Sequence, residues 1–224
     1  MGTTSVIELN NVSISQSTGV VIANLSLNVT KGEFVYLLGK TGSGKSTLSR
    51  YLLMTSEHLI VIDGKDSEDT RVNWNLENYN RNKHLVDIKK HNPLRIRLVN
   101  DMGDIIEVLN AVYEYGNHIV YIDEITATIP PRTKPPQIFT DIWTRGRSRN
   151  IGAWSGTQRP SQIPLEFMSE SEHFFVFKLT LENDRKRISG MVWTRVLTPP
   201  VDKYGFFYYD VNDGKLYYIK RLAV

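Results

Sequence analysis

The 224 residues carry 27 basic and 24 acidic side chains, a formal net charge of +3, and no cysteine. That length supports one good-sized core without a covalent or metal staple, and the missing cysteines exclude disulfides, thiolate nucleophiles and cysteine-ligated zinc. The small basic excess permits a nucleic-acid partner without requiring one, while His58, His84, His91, His118 and His173 lack the spacing of a zinc site.

Met1 to Ser5 has neither the basic patch nor the apolar run of a signal peptide, and Gly2 lacks a myristoylation context. No apolar stretch approaches the roughly 20 residues of a membrane span, so the chain reads as soluble and intracellular. In chain order, Val6 to Leu9 predicts a short strand, and Val20 to Ile22 leads into period-two alternation over Leu25 to Val29. After a turn at Lys31-Gly32, Phe34 to Leu38 is a continuous apolar run of the buried-strand kind. A glycine-rich segment follows, then a predicted helix over Thr47 to Met54 with Leu48, Leu52 and Leu53 on one face. His58 to Ile62 predicts another buried strand. The polar stretch Gly64 to Lys83 has little periodicity and reads as a long loop or ragged helical insert.

Leu94 to Val99 alternates like a strand. Asp101 caps a helix reaching Tyr115, in which Ile105, Val108, Leu109 and Val112 repeat at helical spacing. Ile119 to Ile122 is a third buried strand. The prolines between Ile129 and Pro136 exclude helix and central strand there. A helix over Gln137 to Thr144, strands at Gly152 to Thr157 and His173 to Leu179, and a helix over Leu181 to Met191 complete the alternation. Phe206 to Tyr209 and Leu216 to Lys220 flank the turn signal Asn212-Asp213-Gly214 and predict a closing β-hairpin. Its aromatics, Phe206, Phe207, Tyr208, Tyr209, Tyr217 and Tyr218, could stack bases, but in a period-two hairpin they are expected to cover one side of the sheet. Strands alternating with helices imply a mostly parallel sheet flanked by helices, with antiparallel β additions at the N-terminus and a C-terminal hairpin.

Gly39-Lys40-Thr41-Gly42-Ser43-Gly44-Lys45-Ser46 matches G-x-x-x-x-G-K-[ST] between a buried strand and a helix. Glycines let amides curl around phosphate oxygens, and the helix N-terminus adds positive potential. The segment through Thr47 is the expected ATP cradle, with Lys45 on the β- and γ-phosphates and the Ser46 hydroxyl on Mg²⁺. At the end of the strand reaching Ile122, Asp123 is expected to hold the Mg²⁺ shell and Glu124 to polarise the attacking water. Gln158 ends a strand where ligands gather in open α/β sheets and could reach the γ-phosphate or the water. Arg145, Arg147 and Arg149 put three guanidiniums in five residues. One acting across a subunit interface would neutralise charge on the transferring phosphoryl group. Arg147 and Arg149 are favoured over Arg145 because they sit closer to the strand leading to Gln158. Lys65, Arg71, Arg81, Lys83, Arg132 and Lys134 are candidates for nucleic-acid backbone contacts or plain solvated loops.

Two families resemble this pattern. Asn11-Val12-Ser13, Leu25-Ser26-Leu27 and Lys31-Gly32-Glu33 before the P-loop look like the start of an ABC-type nucleotide-binding domain. However, no LSGGQ-like signature precedes Ile119, Ile14-Ser15 replaces the usual adenine-stacking aromatic, and the switch histidine is missing. Asp123-Glu124, Thr144 to Gly152 and Gly156 to Pro164 instead resemble the acidic pair, the GRkfG stretch and the sQrPs.i motif of the HerA/FtsK superfamily. With no room for the extra domains of HerA or FtsK, the chain is similar to genome-packaging ATPases of icosahedral, often membrane-containing, double-stranded DNA viruses.

That resemblance implies a RecA-like P-loop NTPase over residues 1–224, divided into an N-terminal β addition (1–33), an ATPase core (34–192) and a C-terminal hairpin extension (193–224). It also implies a hexameric or pentameric ring with ATP at subunit interfaces and double-stranded DNA in its channel. A capsid portal or viral membrane protein would be a further partner, and the setting would be the host cytoplasm or the packaging vertex of a virion. A cellular or plasmid DNA translocase, an ABC-like ATPase dimer driving a membrane partner, and a nucleotide-switched interaction protein remain the alternatives.

Overall fold

The computed structural model describes residues 5–16, 19–99 and 101–220, with the main chain alone at 11–16 and 19–25. Readings that rest on Met1 to Thr4, or on side chains from Asn11 to Leu25, therefore lie outside the described residues. Among the described residues a nine-stranded sheet runs through the protein. Its centre is β3 (Val35–Leu38), flanked by β8 (Gly152–Thr157) and β9 (His173–Phe177), both parallel to it. Beyond β8 come β7 (Ile119–Ile122), β4 (His58–Asp63), β6 (Leu94–Val99) and the two-residue β5 (Glu77–Asn78), all parallel. Beyond β9, β10 (Phe206–Asp210) and β11 (Lys215–Ile219) add antiparallel at the edge.

The continuous apolar runs exist because the strands are covered on both faces. Tyr36 and Leu38 of β3, Ile60 and Ile62 of β4, and Val120 and Ile122 of β7 join one core. Helices α3 (Arg81–Lys90), α4 (Met102–Tyr115), α6 (Gln137–Arg145) and α8 (Glu182–Ser189) contribute to that core. Val35, Leu37, Leu59, Val61 and Tyr121 face the other core with α1 (Lys45–Leu53), where Trp74 stacks on Tyr121 at 5.1 Å. Each fully buried aliphatic contributes about 1.5–3 kcal/mol, and the two cores hold the carboxyl ends of β3, β7 and β8 in fixed register.

Several elements differ from the sequence reading. The N-terminal strands are longer than expected, β1 (Ser5–Gln16) and β2 (Gly19–Thr30), and they form their own two-stranded antiparallel sheet. That ribbon packs Ile7, Leu27 and Val29 onto the α1-side core and does not extend the central sheet. The stretch 64–83 holds α2 (Glu68–Asn73), β5 and the start of α3, with Ser67 and Asn80 capping the two helices. Those helices bury few apolar side chains, so caps mark them where periodicity does not. A one-turn helix, α5 (Ile125–Thr128), and a short α7 (Leu165–Ser169) were also not expected. The hairpin aromatics divide between both faces: Phe206 and Tyr208 join the α1-side core, and Phe207 the opposite one. Residues 129–136 between α5 and α6 contain neither helix nor strand, as the prolines require.

Candidate nucleotide-binding and hydrolysis site

The loop after β3 is pinned on both sides, since the Gly39 amide donates to Thr157 O at 3.0 Å and the Lys40 amide to Lys178 O at 2.9 Å. Gly42 and Gly44 turn it with φ of 69° and 105°, a region that disfavours side chains. Helix α1 then starts at Lys45, two residues earlier than the expected Thr47, and no side chain caps it. The amides of Lys45, Ser46 and Thr47 are thus the open donors of a helix N-terminus, a ready phosphate site. Lys45 Nζ donates to Gly39 O at 2.6 Å and Lys40 O at 3.2 Å, so the lysine lies folded along its own loop. Burial lowers its pKa from the ordinary lysine value, against the opposing pull of Glu124 and Asp123.

The acidic pair follows β7 in register with that loop. Ser46 Oγ donates to Asp123 Oδ1 at 2.7 Å, and the buried Tyr121 hydroxyl donates to the same oxygen at 2.7 Å. A hydroxyl and a carboxylate touching beside a phosphate cradle form an oxygen-only donor set that fits Mg²⁺. The Glu124 side chain is only 4% exposed and is held at both oxygens. Its Oε1 accepts from Thr126 Oγ1 at 2.8 Å and from the Gln158 amide at 3.3 Å; its Oε2 lies 3.4 Å from Lys65 Nζ. The Gln158 side chain accepts from Thr41 Oγ1 at 2.7 Å, tying the end of β8 to the phosphate loop. Behind Gln158, Arg159 Nε and the Ser161 amide both donate to buried Asp184 on α8, at 3.1 and 3.0 Å. Gly156 lies against the Asp123 carbonyl oxygen so closely that no side chain fits.

Thr41 to Thr47, Lys65, Ser67, Asp69, Asp123, Glu124 and Gln158 together line a cleft of about 300 Å³. Every residue expected for ATP, Mg²⁺ and water activation is in or beside it except the arginines. Arg145, Arg147 and Arg149 lie where α6 and the following 3₁₀ turn enter β8, the opposite end of that strand from Gln158. None can touch the nucleotide of its own subunit, because the strand alone spans roughly 20 Å. Arg147 pairs with Glu172, itself 8% exposed, at 2.5 Å, and Arg149 lies 4.4 Å over the Tyr113 ring. Arg145 makes an exposed 3.5 Å contact with Asp141.

Lys65, read as a loop cation for nucleic acid, points into the cleft instead. Its signal was available: it sits two residues past the carboxyl end of a strand, where α/β sheets bind ligands. Thr126, Tyr121 and Tyr204 were also missed. Tyr204 Cδ1 lies 3.7 Å from where a Cβ on Gly44 would be, on the β9 side of the loop. Arg81 and Lys83 are paired with Glu107 and Glu77, whereas Arg132 and Lys134 are exposed and have no ion-pair partner among the described residues.

Residues 22–126, just under half of the chain, match the ABC transporter family. The chain is 42% identical over 79 residues to the energy-coupling factor transporter ATP-binding protein EcfA1 of Clostridioides difficile (strain 630). The match covers 32% of this chain and 28% of that protein, so the chain spans about a quarter of that relative's length. The DNA packaging ATPase P9 of Enterobacteria phage PRD1 is 28% identical over 193 residues, covering 80% of this chain and 82% of P9. The genome packaging NTPase B204 of Sulfolobus turreted icosahedral virus 2, solved with AMPPCP, superposes with a TM-score of 0.67 at 22% identity. That superposition covers 86% of this chain and all of B204. The chain has a P-loop NTPase fold, and it is similar along most of its length to a phage DNA-packaging ATPase and in fold to a viral genome-packaging NTPase.

Proposed function

We propose that this ATPase uses hydrolysis to move double-stranded DNA, and that it packages a viral genome into a preformed capsid. The observation that carries this reading is the reach of the similarities. Likeness to the ABC transporter family ends at residue 126, before the proline loop and Gln158, whereas likeness to PRD1 P9 spans 80% of the chain. An ABC-like dimer also needs a signature motif between Ser67 and His118. Among the described residues that stretch is α2, β5, α3, β6 and α4, with both strands in the central sheet and no separate helical insert.

In this reading the triphosphate lies along Gly39 to Thr47, its γ-phosphate toward Glu124 and Gln158 on the β7–β8 side. The purine then extends to the other flank of the loop, where Tyr204 offers an exposed ring. Mg²⁺ held by Ser46 and Asp123 supplies positive charge to the phosphates. Glu124, oriented by Thr126 and the Gln158 amide, takes the proton of the attacking water. Subunits assemble as a hexameric or pentameric ring, in which the basal arginine cluster, Arg145 foremost, faces the neighbour's nucleotide. The proline loop with Arg132 and Lys134 tracks DNA phosphates. The complex works in the host cytoplasm or at the packaging vertex, docked to a portal or viral membrane protein.

Steady-state ATPase and fluorescence anisotropy on unrelated duplexes test this. Binding should be indifferent to sequence, fall with salt at a log–log slope of about −0.9 per phosphate contacted, and stimulate turnover. A dimer in class averages with no DNA stimulation would favour the ABC-like reading.

A further inference from the structure

The turn after β4 is built around a buried charge. Asp63, fully buried at the strand end, accepts from Arg97 Nε at 3.2 Å and from the Ser67 amide at 2.8 Å. It also accepts from the amide of Lys65 at 3.2 Å. Arg97, 4% exposed, additionally pairs with Asp66. Gly64 packs the same turn against Thr128 of α5, immediately beyond the acidic pair. A five-residue turn is thus clamped from β6 and α5, and it delivers one side chain, Lys65, into the cleft 3.4 Å from Glu124 Oε2.

The two oxygens of Glu124 are used differently. Oε1 is held by Thr126 and the Gln158 amide, both parts of the local scaffold. Among the described residues Oε2 meets only the lysine, and that lysine is 46% exposed. A carboxylate whose outward oxygen holds an ammonium is poorly placed to accept a proton from water. The lysine must leave that oxygen before the base can work. A γ-phosphate carries more negative charge than one carboxylate, and it would enter the same cleft within reach of the same side chain.

We propose that Lys65 is a γ-phosphate-dependent gate on Glu124: it holds Oε2 in the nucleotide-free site and transfers to the γ-phosphate when ATP binds, freeing the base. This makes Lys65 a positioning residue, and the inference rests on Glu124 being the base. ADP offers no γ-phosphate and leaves the gate closed.

The experiment compares wild type, Lys65→Met, Lys65→Arg and Glu124→Gln for binding of ADP and of a non-hydrolysable ATP analogue, both with Mg²⁺, and for turnover. Lys65→Met should lose on the order of tenfold in affinity for the analogue, the worth of one charge-assisted contact, while ADP affinity stays within about twofold. Its kcat should fall at least about tenfold for want of charge on the transferring phosphoryl group, and Lys65→Arg should recover most of both. Glu124→Gln should bind the analogue more tightly than wild type, because the ammonium is no longer shared. Equal losses for ADP and analogue, no loss for either, or faster turnover in Lys65→Met would overturn the gate. If Glu124→Gln turns over normally, the base assignment itself is wrong, a different failure with its own signature.

Discussion

Gly156 offers the most direct test of how the sheet fixes the chemistry. A methyl group there would sit more than an ångström inside ordinary contact with the Asp123 carbonyl oxygen. That oxygen belongs to the main chain, so no rotamer change relieves the overlap. Gly156→Ala must push β8 and the end of β7 apart, moving Asp123 and Glu124 by about 1 Å relative to Ser46 and Lys45. Overpacking of this kind costs about 1–3 kcal/mol of stability, and a displacement of about 1 Å in a catalytic constellation costs about 10²-fold in rate. ADP binding should be largely spared, because Gly39 to Thr47 hangs from β3 and α1. The measurements are urea unfolding, ADP affinity and steady-state kcat, with Gly190→Ala as the control. A Cβ at Gly190 meets nothing nearer than 3.7 Å. Wild-type kcat and stability in Gly156→Ala would refute the claim that the β7–β8 contact sets the acidic pair.

Lys45→Ala should abolish nucleotide binding, whereas Glu124→Gln should keep binding and lose turnover; equal loss of binding in both would show the acidic pair misassigned. Tyr204→Ala should raise the KM for ATP severalfold with kcat nearly unchanged, as loss of a stacking worth about 1 kcal/mol predicts, while Tyr204→Trp should keep the wild-type KM; an unchanged KM in Tyr204→Ala removes the base from that flank. Burial pushes His118 down to about 4, against 6.5 for an ordinary histidine. The unfolded chain therefore takes up the proton first. Stability is intact above about pH 6.5 and falls as the pH drops toward 4, by about 2 kcal/mol at pH 5. In His118→Asn, whose amide can still donate to Gly116 O, the difference in unfolding free energy between pH 7.5 and pH 5 should shrink by about that amount; an unchanged difference would mean the ring is not buried neutral.

The nucleotide cradle was legible because its chemistry is local. Gly39 to Ser46 and Asp123-Glu124 each sit in one short stretch, and the buried runs Phe34 to Leu38 and Ile119 to Ile122 announced the strands that bring them together. Gln158 could be placed because it ends a strand. Lys65 carried the same strand-end signal, but its contact with Glu124 comes from β4 lying beside β7, a pairing across sixty residues that periodicity does not reveal. The arginines lie at the far end of β8 from Gln158, so sequence nearness to that strand gives no reach to the same subunit's nucleotide, and action across an interface depends on a neighbour that one chain does not describe. The hairpin aromatics split between two cores because β10 lies against β9 rather than free in solvent. Helices α2 and α3 were obscured because capping and ion pairs, more than an apolar stripe, hold them.

The proposed function requires directed movement along duplex DNA. A third strand annealed to a long duplex as a triplex reports it directly, since a translocating motor displaces that strand. Wild-type protein with ATP should release the third strand at a rate that depends on its distance from the duplex end, and Glu124→Gln should bind the same DNA and release none. An ATPase that turns over beside the duplex but leaves the triplex intact, at any protein or ATP concentration, would contradict the account.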